Sequence, residues 1–268
     1  MESHMAEISA AVVKALREET GQGMMECKKA LQETGGDVQA AKDLLRKKGL
    51  MTAEKKSGRT TSEGLIVVKT APDGTSAAMV EVQCETDFCA RNDVFCAMAE
   101  KVADLASQAP AGKVEVTEAM KAAVQEALAK IGENMNCARA IKIAGNRVGT
   151  YLHHNGKVGV VVAVDSPIED QMLADLCMHV AFADPVGIIP ADIPAEMVAR
   201  EREIAKAQAA ESGKPPAIVE KMVEGKVGKF LAANALLEQP FVRDDKKKVK
   251  DVLGKVKVTA FARFAVGQ

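Results

Sequence analysis

Two stretches of the chain, about 85 residues apart, follow one order: strand, tight turn, strand, connection, helix and, later, a further strand. In the first, β-rich runs at Leu65 to Lys69 and Ala77 to Cys84 flank the turn Pro72-Asp73-Gly74. A helix predicted from Asp93 to Ser107 then sets Phe95, Met98, Val102 and Leu105 on one face. A second helix covers Thr117 to Ile131, and a strand runs from Cys137 to Ile143. In the second stretch, Gly149 to His153 and Val158 to Val164 flank Asn155-Gly156, a strong hairpin signal. A helix bearing Met172, Leu173, Leu176 and Val180 follows, and the last strand spans Val256 to Val266. A doubled order of this kind predicts an α+β core of two related subdomains, each with a small antiparallel sheet and helices.

The flanking segments have a different character. Residues 6–50 read as three short helices. The first carries Ile8, Val12 and Leu16 and ends at Thr20-Gly21-Gln22-Gly23; the second runs from Met24 to Glu33. The third is capped by Asp37 and closed by Gly49. Residues 51–63 are rich in Lys, Ser, Thr and Gly and read as a linker. The subdomains then occupy residues 64–147 and 148–268. The second is interrupted at about 194–230 by two helices joined through Ser212-Gly213-Lys214-Pro215-Pro216, read as an antiparallel helical hairpin. Lys246 to Lys250 reads as a solvated basic connection. Met1-Glu2-Ser3-His4-Met5 reads as a cloning remnant.

Composition narrows the function. The chain has 268 residues, 47% hydrophobic and 27% charged, with a net charge of -1. That balance argues against nucleic acid or a membrane surface as the main partner. Seven Phe, one Tyr and no Trp make a poor stacking platform for single strands. The six cysteines form no Cys-x-x-Cys pair and fall mostly in apolar patterns, as expected of reduced, buried thiols in a cytoplasmic protein. There is no Gly-rich phosphate cradle. His153 and His154 are neighbours that alternation would send to opposite sheet faces, and Cys177 and His179 do not share a helix face. No catalytic set, metal set or cofactor site is contiguous in the sequence, which leaves only one assembled by folding, and no small-molecule substrate is expected.

One short segment stands out. Between the strand ending at Cys84 and the helix starting near Asp93, Asp87 and Phe88 place a carboxylate and an aromatic ring side by side in a connection. Either the ring plugs the core and Asp87 caps a turn, or the pair is a probe for another protein. Met24 and Met25, just after the first Gly loop, cannot both point inward. One is expected in the core and the other as an adaptable apolar contact, with Lys28 one turn on.

Several stretches resemble bacterial elongation factor Ts. Leu16-Arg17-Glu18-Glu19-Thr20-Gly21-Gln22-Gly23-Met24-Met25-Glu26-Cys27-Lys28-Lys29-Ala30-Leu31 is similar to the family's N-terminal signature, and Glu81-Val82-Gln83-Cys84-Glu85-Thr86-Asp87-Phe88 to its second. Lys130-Ile131-Gly132-Glu133-Asn134, Ser212-Gly213-Lys214-Pro215, Glu220-Lys221-Met222-Val223-Glu224-Gly225 and Gln239-Pro240-Phe241-Val242 also look familial. The resemblance implies a ubiquitin-associated-like N-terminal domain, a two-part core and an inserted coiled-coil helical hairpin. It implies a guanine-nucleotide exchange factor, not an enzyme, whose partner is the GTPase elongation factor Tu. Thr86, Asp87, Phe88 and Cys89 would then dislodge the partner's Mg2+, and Met24, Met25, Lys28, Ile131 and Gly132 would add partner contacts. Cys89 stands where the family usually has Val, Ala138-Arg139 where it more often has an Arg pair, and Phe182 where a small residue is usual. Two other readings remain open: an enzyme using Cys89 or Cys177, and a ubiquitin-like-binding scaffold built on the three helices.

Overall fold

The computed structural model describes residues 8–56, 58–211 and 215–268. Met1 to Met5 and the Ser212-Gly213-Lys214 break lie outside them. The chain divides into two compact units. One comprises residues 1–67, 80–140 and 265–268, the other residues 68–79 and 141–264.

In the first unit, α1 (Ala10–Thr20), α2 (Met24–Glu33) and α3 (Val38–Lys56) pack Val13, Leu16, Cys27, Ala30, Leu31, Ala41 and Leu45 into one small core. Local chemistry sets their limits. Ser9 caps α1, and Gly21 ends it at φ +68°, its N–H bonded to the Arg17 carbonyl at 2.8 Å. Asp37 Oδ1 accepts from the Ala40 N–H at 3.0 Å at the start of α3. The sequence reading closes this helix at Gly49. In the structure it continues to Lys56, into the tract read as linker. Gly49 is instead a site of close approach, since a Cβ there would lie 3.3 Å from the Ala129 methyl.

The core elements follow as β1 (Glu63–Thr70), β2 (Ser76–Cys84), the single turn α4 (Asp87–Ala90), α5 (Asp93–Ser107), β3 (Gly112–Val114), α6 (Glu118–Ile131) and β4 (Met135–Ala144). The strands form one sheet in the order β1-β2-β4-β3. Phe95, Met98 and Val102 on α5 are buried as the periodicity predicts, and Leu105 is half-buried.

The second unit holds β5 (Arg147–Leu152), β6 (Val158–Val164), α7 (Asp170–Ala183), α8 (Ala195–Ala210), α9 (Pro216–Asn234), β7 (Pro240–Phe241), β8 (Asp244–Lys248), α10 (Val249–Leu253) and β9 (Val258–Ala265). β5 and β6 pair antiparallel, Tyr151 opposite Val160, and the sheet order is β5-β6-β9. Both sheets thus use their strands alike: the second hairpin strand is central, and a strand from much later in the chain lies on its far side. β6, Val-Gly-Val-Val-Val-Ala-Val, is buried on both faces, as a central strand under a helix must be. Val160, Val162 and Val164 pack with Leu173, Leu176 and Val180 of α7. α8 and α9 share a core of Ala205, Ala209, Val223 and Val227.

Lys246 to Lys250 is exposed except at Val249, as the solvated reading expects, but it is ordered: it passes from β8 into α10, with Lys248 and Lys250 reaching Glu238 at 2.6 and 2.8 Å. One local expectation fails here. His153 and His154 do not alternate across a sheet. β5 ends at Leu152, and in the turn the two rings lie 4.2 Å apart by centroid.

Candidate functional site

The segment between β2 and α5 is a helical turn, not an irregular connection. Thr86, in extended conformation, caps α4 by accepting the Cys89 N–H on Oγ1 at 3.1 Å. The carbonyls of Thr86 and Asp87 take the N–H groups of Ala90 and Arg91 at 3.1 and 3.2 Å. A turn this short splits its residues between inside and outside. Cys89 and Ala90 are buried at 3% exposure each, whereas Phe88 is 80% exposed. The plug reading is therefore wrong: the ring points out of its own core. Burying a Phe side chain is worth about 1.5–3 kcal/mol, which this ring forgoes within the chain.

Asp87 is half-buried and meets Arg91 Nη2 at 3.1 Å, one turn on. Thr86 is spent on hydrogen bonds. Its N–H and its hydroxyl both donate to the Glu133 carboxylate, at 3.1 Å (Oε2) and 2.9 Å (Oε1). Cys89 faces inward, its thiol pushed well above the usual range by the neighbouring Cys84 thiol and by burial. The four residues are thus two presented groups on two anchors.

Met24 and Met25 open α2 and are both exposed, at 42% and 62%. The expectation that one enters the small core fails because Cys27, Ala30 and Leu31 already fill that face of the helix. Lys28 is exposed as well. Ile131 ends α6 half-buried, and Gly132 follows at φ +84°, its N–H on the Leu128 carbonyl at 2.7 Å. Lys56 Nζ bonds the Gly132 carbonyl.

These segments converge. A cleft of about 530 Å³ is lined by Glu18, Glu19, Gly21, Asn92, Val94, Lys130 and Ile131. It joins the end of α1, the start of α5 and the end of α6. A Cβ on Gly21 would come within 2.9 Å of Lys130 Cε. Phe88 lies four residues before Asn92 in sequence, and Met24 three after Gly21; both are exposed.

No activated nucleophile accompanies this. Burial pushes Cys177 up to about 12 and Cys137 up to about 11, opposite to what thiol catalysis needs. His179 is 1% exposed and neutral by its bonding. Nδ1 accepts from the Val242 N–H at 3.2 Å, so Nε2 carries the proton and donates to Gln239 Oε1 at 2.9 Å. Among the described residues no cluster of three or more His, Cys, Asp or Glu is placed to hold a metal ion, and no helix is long and apolar enough to cross a membrane. Sequence reasoning missed Glu133, although the stretch containing it carries the family resemblance; its contact with Thr86 spans 47 positions.

Residues 85–268 match the family model described as "Elongation factor TS". The chain is 46% identical over 273 residues to elongation factor Ts of Methylococcus capsulatus, covering 97% of this chain and 92% of that protein. It is 45% identical over 293 residues to elongation factor Ts of Rhodospirillum rubrum, covering 98% and 94%. It is 44% identical over 281 residues to elongation factor Ts of Desulfovibrio desulfuricans, covering 97% and 98%.

Proposed function

The chain belongs to the elongation factor Ts family, a family of translation elongation factors, and we propose on that premise that it is the exchange factor of a translational GTPase. It binds elongation factor Tu in its GDP form in the cytoplasm and speeds GDP release. It makes and breaks no covalent bond. The observation that carries this reading is the outward Phe88 ring, 80% exposed beside Asp87 on a turn whose first residue is bonded to Glu133.

GTPases hold nucleotide partly through Mg2+, which bridges phosphate and protein oxygens. Phe88 enters beside that metal site and shifts the residues framing it, while Asp87 supplies a carboxylate at the same place. With the metal loosened, the phosphates lose a counter-charge and the nucleotide leaves faster. Met24, Met25, Lys28, Ile131 and Gly132 add contact area around this point. Binding is reciprocal: if the factor weakens nucleotide binding, nucleotide weakens factor binding by the same ratio, so incoming GTP releases the factor. A coupling of about 3 kcal/mol corresponds to roughly a hundredfold in affinity.

The test is release of fluorescent GDP from the GTPase on addition of this chain. The reading requires an acceleration that saturates with chain concentration, and a complex that excess unlabelled GDP dissociates. Release at the spontaneous rate throughout the titration would refute it. An enzyme acting through Cys177 or Cys89 is disfavoured by the raised pKa of both thiols.

A further inference from the structure

The geometry points to Glu133 as a positioning residue that sets the pose of the Phe88 ring by holding Thr86. This rests on the reading of Phe88 as the group that enters the partner.

A four-residue helical turn cannot hold itself, because nucleation costs more than one or two hydrogen bonds return. Something outside the turn must fix its start, and here that is a side chain 47 positions on. Glu133 takes two donors from one residue, the Thr86 N–H and the Thr86 hydroxyl. The second bond matters most. With its proton committed to Glu133, the hydroxyl oxygen turns a lone pair to the Cys89 N–H and completes the cap on α4. The carboxylate thus fixes the rotamer on which the turn depends, and Asp87 and Phe88 are the two residues between Thr86 and the capped Cys89 N–H.

The neighbouring pair runs the other way. Glu85 Oε1 accepts the Asn134 backbone N–H at 2.6 Å. Two adjacent residues on each side therefore clasp reciprocally, 85 to 134 and 133 to 86. The far side of the clasp is itself held, since Asn134 Nδ2 donates to the Arg59 carbonyl at 2.7 Å. The hydrogen bonds of Glu133 reach Thr86 and its carboxylate also faces the Cys89 thiol, so its effect on the ring passes through the residues on either side of Asp87 and Phe88.

The experiment uses the full chain and two readouts. The first is stopped-flow release of fluorescent GDP, resolved into maximal rate and half-saturating concentration. Glu133→Gln keeps one acceptor and turns an NH2 donor toward a donor. The maximal rate should fall several-fold, with a smaller change in the half-saturating concentration. Thr86→Val should fall likewise, Thr86→Ser should recover most of the rate, and the double variant should be no slower than the worse single one. The second readout uses the absence of Trp in the native sequence. In a Phe88→Trp background the indole is the sole tryptophan, and Glu133→Gln should enlarge the amplitude of its nanosecond anisotropy decay, which a purely global loss of stability would leave unchanged in the folded state. If Glu133→Gln does not fold, the Thr86→Val and Thr86→Ser pair decides alone. Loss of acceleration in Phe88→Ala together with unchanged rate and anisotropy in the Glu133 or Thr86 variants overturns this inference only. Full acceleration in Phe88→Ala overturns the reading beneath it.

Discussion

Glu81, 1% exposed, meets Arg139 with Oε2 2.6 Å from Nε. Its other oxygen accepts from Gln83 Nε2 at 2.7 Å and from the Gly267 N–H at 2.9 Å, and Arg139 also donates to the Ala265 carbonyl at 3.0 Å. Three chain segments of the first unit, β2, β4 and the C-terminal end, therefore meet on one buried carboxylate. Removing the guanidinium strands that charge. Arg139→Met should lower unfolding free energy by about 2–3 kcal/mol, below the range for a fully buried pair because a third of the arginine side chain stays in solvent. Urea denaturation measures this; a loss under about 0.5 kcal/mol would show that water or a shift of the chain replaces the arginine.

Exposure separates the two largest rings of the first unit's α4–α5 region. Phe88 is 80% exposed and Phe95 is fully buried. Phe88→Ala should change stability by no more than about 0.5 kcal/mol, whereas Phe95→Ala should cost about 3–5 kcal/mol. Thermal and denaturant melts of the two variants check this. A large loss in Phe88→Ala would mean that the ring supports its own fold after all.

His179 should give the stability profile a limb above the carboxylate range. Burial lowers its pKa, so the folded state resists a proton that the unfolded chain accepts. Stability from this residue is complete above the unfolded value of about 6.5 and is lost as pH falls from there through the folded value. The melting temperature should therefore decline as pH falls below about 6.5, and the decline should flatten in His179→Gln. The same slope in both proteins would assign it to other groups. Glu85 acts at lower pH. The Asn134 N–H, and after it the charge of Arg59, lowers its pKa, so its contribution disappears only as pH falls below the ordinary carboxylate range.

The thiols should be slow to alkylate in the native state. Cys177 is held at about 12 and Cys137 at about 11, chiefly by burial, so little thiolate exists at neutral pH. Iodoacetamide at pH 7.5 followed by mass spectrometry should show both far less modified than in urea, with GDP release unaffected. Rapid native labelling of Cys177 with parallel loss of function would revive the enzyme reading.

Much of this was readable in the chain because periodicity and turn chemistry are local. The hairpin at Asn155-Gly156, the apolar face of α5 and the glycine end of α1 follow from residues within a few positions of one another. What escaped depends on distant partners. Gly49 reads as a helix stop, yet its lack of a side chain serves the approach of Ala129, 80 positions on. The two methionines read as half inside, but a three-helix core filled by Cys27, Ala30 and Leu31 leaves neither a place. Of the candidate site, the isolated ring at Phe88 was legible as an anomaly. Its direction was not, because a one-turn helix reveals its inner face only once Cys89 and Ala90 are seen buried. The hold of Glu133 on Thr86 has no periodic signature at all.

The central claim is that the outward ring of Phe88 drives nucleotide from another protein. The most direct measurement is the maximal rate of fluorescent GDP release from elongation factor Tu at saturating factor, native chain against Phe88→Ala, with folding of the variant verified by its melt. The account expects the variant to bind the GTPase yet lose most of the acceleration. An unchanged maximal rate would contradict it.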